Sequence, residues 1–216
     1  MSKKENRTQA DFEANIQQEW SWRIKELDDI KSLVQKSEGK AVETATLRAG
    51  VPILYAHWEG FVKSASYHYF NFVTTKRHKL VDLSNNFVAI SLRKHIHELL
   101  DSTKVSVQVS AIDYLRSALS ARGRFPADLP LKTSNLSYEV FKDYCCLVGI
   151  DESRFELRRQ FINERLVRNR NTIAHGQWLP IDAEDFYSIF NLTIELLERF
   201  KEAILEAVSN QHYKAS

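Results

Sequence analysis

SRFELRRQFINERLVRNRNTIAHG, residues 153–176, and DAEDFYSIFNLTIELLERFKEAILEAV, residues 182–208, are separated only by QWLPI. In the second segment Phe186, Ile189, Phe190, Thr193, Leu197, Phe200, Ile204 and Val208 recur at steps of mostly three and four, the period of a helix with one buried face. Asp182 stands where a cap is needed, with the acids Glu184 and Asp185 in the first turn. In the first segment Phe155, Ile162, Leu166 and Ile173, spaced seven, four and seven, share one helical face. Ser153, after Asp151 and Glu152, is the expected cap of that helix. Gly176 suits its C′ position, and Pro180 blocks continuation. Two long helices joined by a short Gly/Pro turn predict an antiparallel hairpin inside a helical bundle.

Upstream, the same period continues. Phe12, Ile16, Trp20, Ile24, Leu27, Ile30 and Val34 predict a helix over 11–37, with Gly39 as its stop. A second helix is expected over about 42–72, rich in Tyr, Trp and Phe, and kinked or divided at Pro52. Residues 74–86 are polar and basic and read as a loop; helical spacing resumes over 86–100. Lys104-Val105-Ser106-Val107-Gln108-Val109 alternates like a short strand, while 112–121 reads as helix. Gly123, Pro126 and Pro130 mark an irregular connection within 102–131. Ser137 opens a further helix ending near Gly149. The expected fold class is all-α, one domain over 1–216 with its core at about 11–208.

With 44% hydrophobic and 27% charged residues, the 216-residue chain has the composition of a soluble globular protein, and only 6 Gly and 4 Pro interrupt it. No apolar run approaches the roughly 18 residues that span a bilayer. The start, Met1-Ser2-Lys3-Lys4-Glu5-Asn6, is polar with no apolar stretch behind it, so no signal peptide is expected. Cys145 and Cys146 are adjacent and read as reduced thiols. These features predict a cytoplasmic protein with no membrane partner. The net charge of +2 is unevenly spread. From Arg154 to His175 six arginines face Glu156 and Glu164, a net +4; from Asp182 to Glu206 seven acids face Arg199 and Lys201, a net −5. Such a pair of helices either attract each other or leave one face for phosphate.

Arg170 is out of place. It lies four after Leu166 and three before Ile173, inside the apolar stripe, and a guanidinium withdrawn from water needs a partner. By spacing, that partner is a core carboxylate such as Asp185. His175 ends the same helix beside Gly176. An imidazole exchanges protons near neutrality, and a guanidinium binds phosphate through two parallel hydrogen bonds. Together they supply what RNA cleavage by its own 2′-hydroxyl requires, proton transfer and stabilisation of charge on phosphorus, with no metal.

Arg170-Asn171-Thr172-Ile173-Ala174-His175-Gly176 resembles the signature of the HEPN superfamily (higher eukaryotes and prokaryotes nucleotide-binding): an Arg, a polar residue, then a His after four to six positions, near a helix end. Trp22-Arg23-Ile24-Lys25-Glu26-Leu27 and Tyr55-Ala56-His57-Trp58-Glu59-Gly60-Phe61-Val62-Lys63 resemble a prokaryotic branch found beside toxin-antitoxin and phage-defence genes. The similarity covers about residues 11–205, with the middle poorly matched. It implies a four-to-five-helix domain that dimerises so that two motifs face one cleft. It also implies a metal-independent endoribonuclease, a toxin or defence effector held by an antitoxin or other partner protein. Arg170 would hold the scissile phosphate, His175 would transfer protons or bind phosphate, and Asn171 would orient them. Arg168-Asn169 followed by His175 also satisfies the spacing; the fuller context favours Arg170, with Arg168, Arg165 and Trp178 as auxiliary RNA contacts. A HEPN module that binds nucleic acid or protein without cutting is the alternative, and a helical scaffold with polar core residues is the third reading.

Other residues are better read as structural. His57 and Glu59, two apart, diverge on a helix, with Glu59 available to an arginine of the motif helix. His95 and His97 diverge likewise. No set of Cys, His and carboxylates has zinc spacing, and no Gly-rich phosphate loop occurs, so no cofactor is expected. Lys76-Arg77-His78-Lys79 reads as a solvated loop, with RNA contact as its alternative. Trp178 is suited to stacking on a base or to covering the hairpin turn.

Overall fold

Apolar side chains occupy most of the circumference of residues 43–75, leaving a narrow exposed strip that includes Ala45, Ala49 and Ala56. In the computed structural model, which describes residues 7–129, 131 and 135–215, this segment is the central helix α2 (Glu43–Thr75), about 50 Å long. Leu47, Leu54, Trp58, Phe61, Tyr69 and Phe70 are among its buried residues. α1 (Gln9–Ser37) packs along one side, started by a capping box in which Thr8 and Asp11 bond each other's backbone N–H. α7 (Ala183–Ser209) packs along another side, with Asp182 accepting the Asp185 N–H at 2.7 Å as its cap. α5 (Tyr138–Val148) and α6 (Asn169–Ala174) also lie against α2. α3 (Asn85–Asp101) and α4 (Val105–Ala118) pair with each other, and α3 also touches α5. The protein is all-α; among the described residues the only β-type pairings are the isolated bridges Lys79–Arg122 and Leu83–Lys214.

Several sequence expectations are corrected. Of the two outcomes expected at Pro52, division does not occur: α2 runs on as one helix, with Val51 and Leu54 buried on either side of the missing N–H. Residues 104–109 are not a strand but open α4. Val105 and Val109 alternate with polar residues, yet with Ile112 they also recur at four and three, and Ala111 and Ala118 are the residues α4 buries. The loop at 74–86 contains a 3-10 turn, Leu80–Asp82. Pro130 and the polar residues 1–6 lie outside the described residues. Both cysteines are free thiols, Cys145 buried and Cys146 exposed.

The motif segment departs most from expectation. It is not one regular helix but a 3-10 helix (Glu152–Arg158), a π-helix (Phe161–Arg168) and then α6. Its cap is Asp151, which accepts the Ser153 N–H at 3.0 Å, rather than Ser153 itself. The widened π turn carries Phe161, Ile162 and Leu166 inward together, at separations of five and four. Within it Asn163 accepts the Tyr138 N–H at 2.9 Å, tying the segment to the start of α5. π segments occur disproportionately at functional sites.

Candidate functional site

α6 ends in a Schellman motif. The Gly176 N–H bonds the Ile173 carbonyl at 3.0 Å and the Gln177 N–H bonds that of Thr172 at 3.0 Å. Gly176 supplies the left-handed backbone this closure needs, φ +71°. His175 therefore stands exposed at the C-terminal end of α6, its backbone N–H on the Asn171 carbonyl at 2.9 Å. Asn171 is half-buried on the same turn.

Arg170 is half-buried one turn earlier. Its guanidinium lies 4.2 Å over the Tyr55 ring, and Nη2 donates to Asn135 Oδ1. Its Nε is buried and has no partner. The Tyr55 hydroxyl accepts the Leu136 N–H at 2.7 Å, so one tyrosine both supports the guanidinium and fixes the backbone beside Asn135. Burial raises the Tyr55 phenol above its ordinary pKa, against the opposing pull of the Leu136 N–H and Arg170.

The other five arginines of the segment all have carboxylates. Arg154 pairs with Glu206 at 2.9 Å, Arg158 with Glu195 at 2.8 Å and Arg165 with Asp185. These three cross the hairpin in antiparallel order, so the basic and acidic helices hold each other. Arg159 meets Glu139 at 3.1 Å, and the exposed Arg168 meets Glu164 at 2.8 Å. Asp185, the carboxylate that spacing assigned to Arg170, is thus taken by Arg165. Among the described residues Arg170 has no ion pair.

Trp178 does not cover the turn; it is 71% exposed. Arg48 of α2 reaches the same loop, donating to the carbonyls of Leu179 and Gln177 at 3.0 Å each, with its guanidinium 4.9 Å from the Trp178 ring. Glu59 pairs with Lys63 at 2.8 Å rather than with a motif arginine. His57 faces α1, its Nε2 3.2 Å from Glu26. His95 bonds Glu98 at 2.9 Å. Among the described residues no three His, Cys, Asp or Glu side chains gather as they would around a metal ion, and no helix is long and apolar enough to cross a membrane.

Arg170, Asn171 and His175 thus share one short helix and the turn that ends it. Tyr55, Asn135 and Arg48 complete the surroundings and escape sequence reasoning. Tyr55 lies in a block that resembles the family, where it could have been marked. Asn135 and Arg48 carry no local signal, since each meets its partner across long stretches of chain.

An all-α bundle with an arginine, a polar residue and a histidine closing one helix is the arrangement expected of a HEPN-type protein. The chain belongs to the HEPN_MAE_28990-like HEPN family, whose model matches residues 12–213. That superfamily is one of nucleotide-binding and RNase-type proteins. No curated protein and no solved structure matches the chain.

Proposed function

We propose that this protein is a metal-independent endoribonuclease acting as a homodimer, a toxin or phage-defence effector controlled by a partner protein. The observation that carries the reading is Arg170, which among the described residues is the one arginine of the motif segment without a carboxylate. It is held on Tyr55 and donates to a neutral amide, Asn135. A positive charge so placed is available to a phosphate. Arg170 would hold the scissile phosphate and Asn171 would orient it, with Arg168 and Arg165 adding positive charge along the strand. His175 would take the proton of the 2′-hydroxyl as that oxygen bonds to phosphorus and the bond to the 5′-oxygen breaks. The leaving oxygen would gain a proton from water or from His175 of the partner subunit.

Cleavage of single-stranded RNA by the purified protein should persist in EDTA and leave 2′,3′-cyclic phosphate ends, and His175→Ala should abolish it. Loss of cutting in EDTA with rescue by magnesium or manganese would overturn the mechanism. Light scattering should give about twice the 25.1 kDa chain mass. A module that binds RNA without cutting is favoured by one feature, the exposed His175 side chain, which has no hydrogen bond among the described residues. That reading predicts equal RNA integrity in cells expressing wild type and His175→Ala.

A further inference from the structure

We infer that Arg48 and Trp178 form a stacking platform for one unpaired nucleobase next to the cleaved phosphate. The inference rests on the ribonuclease reading above and adds to it a base-binding subsite built by two residues outside the motif.

A tryptophan left 71% exposed forgoes most of the apolar burial its size offers. Such exposure is ordinary on a loose loop, but this turn is held at both ends. Gln177 is bonded into the end of α6 through Thr172, and Arg48 bridges the carbonyls on either side of Trp178. The indole is therefore kept in solvent by a built support.

The geometry also ties Arg48 to the turn. Arg48 Nη1 and Nη2 each donate to a backbone carbonyl, so two of the five guanidinium N–H groups are committed to holding the turn. What it offers is its position against the indole, 4.9 Å from the ring, stiffening and polarising the platform. The position fits as well. Trp178 follows His175 by three residues, at most about 11 Å of chain, which places it within reach of the nucleotide beside the reacting phosphate. A base in a duplex is stacked on its neighbours and offers no free face, whereas an unpaired base can be splayed onto an aromatic ring. Stacking on an indole is sequence-tolerant, because every base has a π-face.

The test uses full-length His175→Ala protein, which should bind without cutting, and a short RNA carrying 2-aminopurine, single-stranded or annealed. Binding of the single strand should quench the probe. Adding Trp178→Ala should remove the quenching and weaken single-strand binding about ten-fold, leaving duplex binding unchanged. Trp178→Phe should restore most of both, and Arg48→Ala should lose part of both. On the His175 background, Trp178→Ala should raise KM by more than it lowers kcat. Equal loss on single strand and duplex would overturn the platform, as would unaltered binding by Trp178→Ala. So would a Trp178→Ala protein that has become monomeric, which would make the indole a contact between copies. If the wild-type protein neither binds nor cuts any RNA, the ribonuclease reading itself has failed. Cutting that depends on Arg170 and His175 but ignores Trp178 defeats the platform alone.

Discussion

Two arginines lie against aromatic rings where α2 meets its neighbours, and they differ in the charge they face. Arg23, toward α1, is 6% exposed, 4.3 Å over Trp22 and 5.7 Å from Phe61. It pairs with the Glu19 carboxylate and donates to the Glu19 carbonyl at 2.8 Å. Gly60 makes room for it, since a Cβ there would meet the guanidinium at 3.3 Å. Arg170, toward the motif, has a comparable ring contact with Tyr55, but its hydrogen-bond partner is an amide. Each leaves a buried Nε unpartnered. Burial works to raise the Glu19 carboxyl, but the bond and charge of Arg23, helped by Ser64 and His68, more than offset it, so Glu19 sits below its ordinary pKa. The first guanidinium is neutralised within the fold. The second has no carboxylate among the described residues, and on the proposed function that charge meets the scissile phosphate.

The sharpest way to break this contrast is to remove each arginine and measure stability and cleavage on the same preparation. Arg23→Ala strips a buried pair of one partner and opens space under Trp22, at a cost of about 3 kcal/mol. The melting temperature should fall by about 6–12 °C, with cleavage per folded molecule retained. Arg170→Ala should do the reverse, losing about 10²–10³-fold in cleavage as expected for a donor aimed at transition-state charge, with little change in melting temperature. Equal melting losses in the two variants would make Arg170 a second core arginine. A folded, dimeric Arg170→Ala that cuts at the wild-type rate would move the assignment to Arg168.

Arg168 supplies a smaller effect. It is exposed and its pair with Glu164 contributes little to stability. Arg168→Ala should leave the melting temperature unchanged and reduce the salt dependence of RNA binding by about one unit of slope, one phosphate contact's worth. An unchanged slope would place Arg168 away from the bound strand.

The contrast was only half legible in the sequence. Periodicity placed α1, α2 and α7 and the hairpin turn at Gly176, because long helices repeat their burial pattern many times. It also put Arg170 inside an apolar stripe, where it is half-buried. It assigned the wrong counter-ion, since Asp185 lies twenty residues from Arg165 across the hairpin and the choice between arginines depends on rotation. The π segment leaves no mark in composition; its i→i+5 bonds only become visible when Phe161 and Ile162 both turn inward. α4 was misread because six residues of alternation fit a strand as well as a helix, and the absence of a pairing strand is a fact of the whole fold. Asn135 and Arg48 leave no sign in the sequence as site residues, since their contacts with the motif and its turn are made only on folding, whereas Tyr55 stands in a family-like block that marks the segment but not its role.

The smallest expected effect is the dependence of stability on pH, and it belongs to the Arg23 side. Burial pushes the His57 imidazole below its ordinary value and the nearby Arg23 pushes the same way, against Glu26. His68 is lowered chiefly by burial as well, with Arg23 again adding and Glu19 opposing. In the unfolded chain both titrate near 6.5, so as pH falls through that value the unfolded state takes up protons that the folded state accepts only at lower pH. Their contribution is therefore fully present above about 6.5 and is lost as pH falls toward their folded values. Glu19, lowered in the fold, acts in the same direction but only below the carboxylate range, so a comparison of pH 7.5 with 5.5 isolates the histidines. The wild-type melting temperature should be lower at 5.5, and His57→Gln should shrink the difference. His78, lowered by burial and by Lys214 and Lys76 against Asp82, would account for part of what remains. Arg170→Ala should leave the difference intact, because these imidazoles answer to Arg23 and not to the motif. A wild-type melting temperature that does not move between the two pH values, or a His57→Gln variant with the full wild-type difference, would show that the α1 face of α2 tolerates protonation and that its buried charges are less tightly matched than their contacts imply.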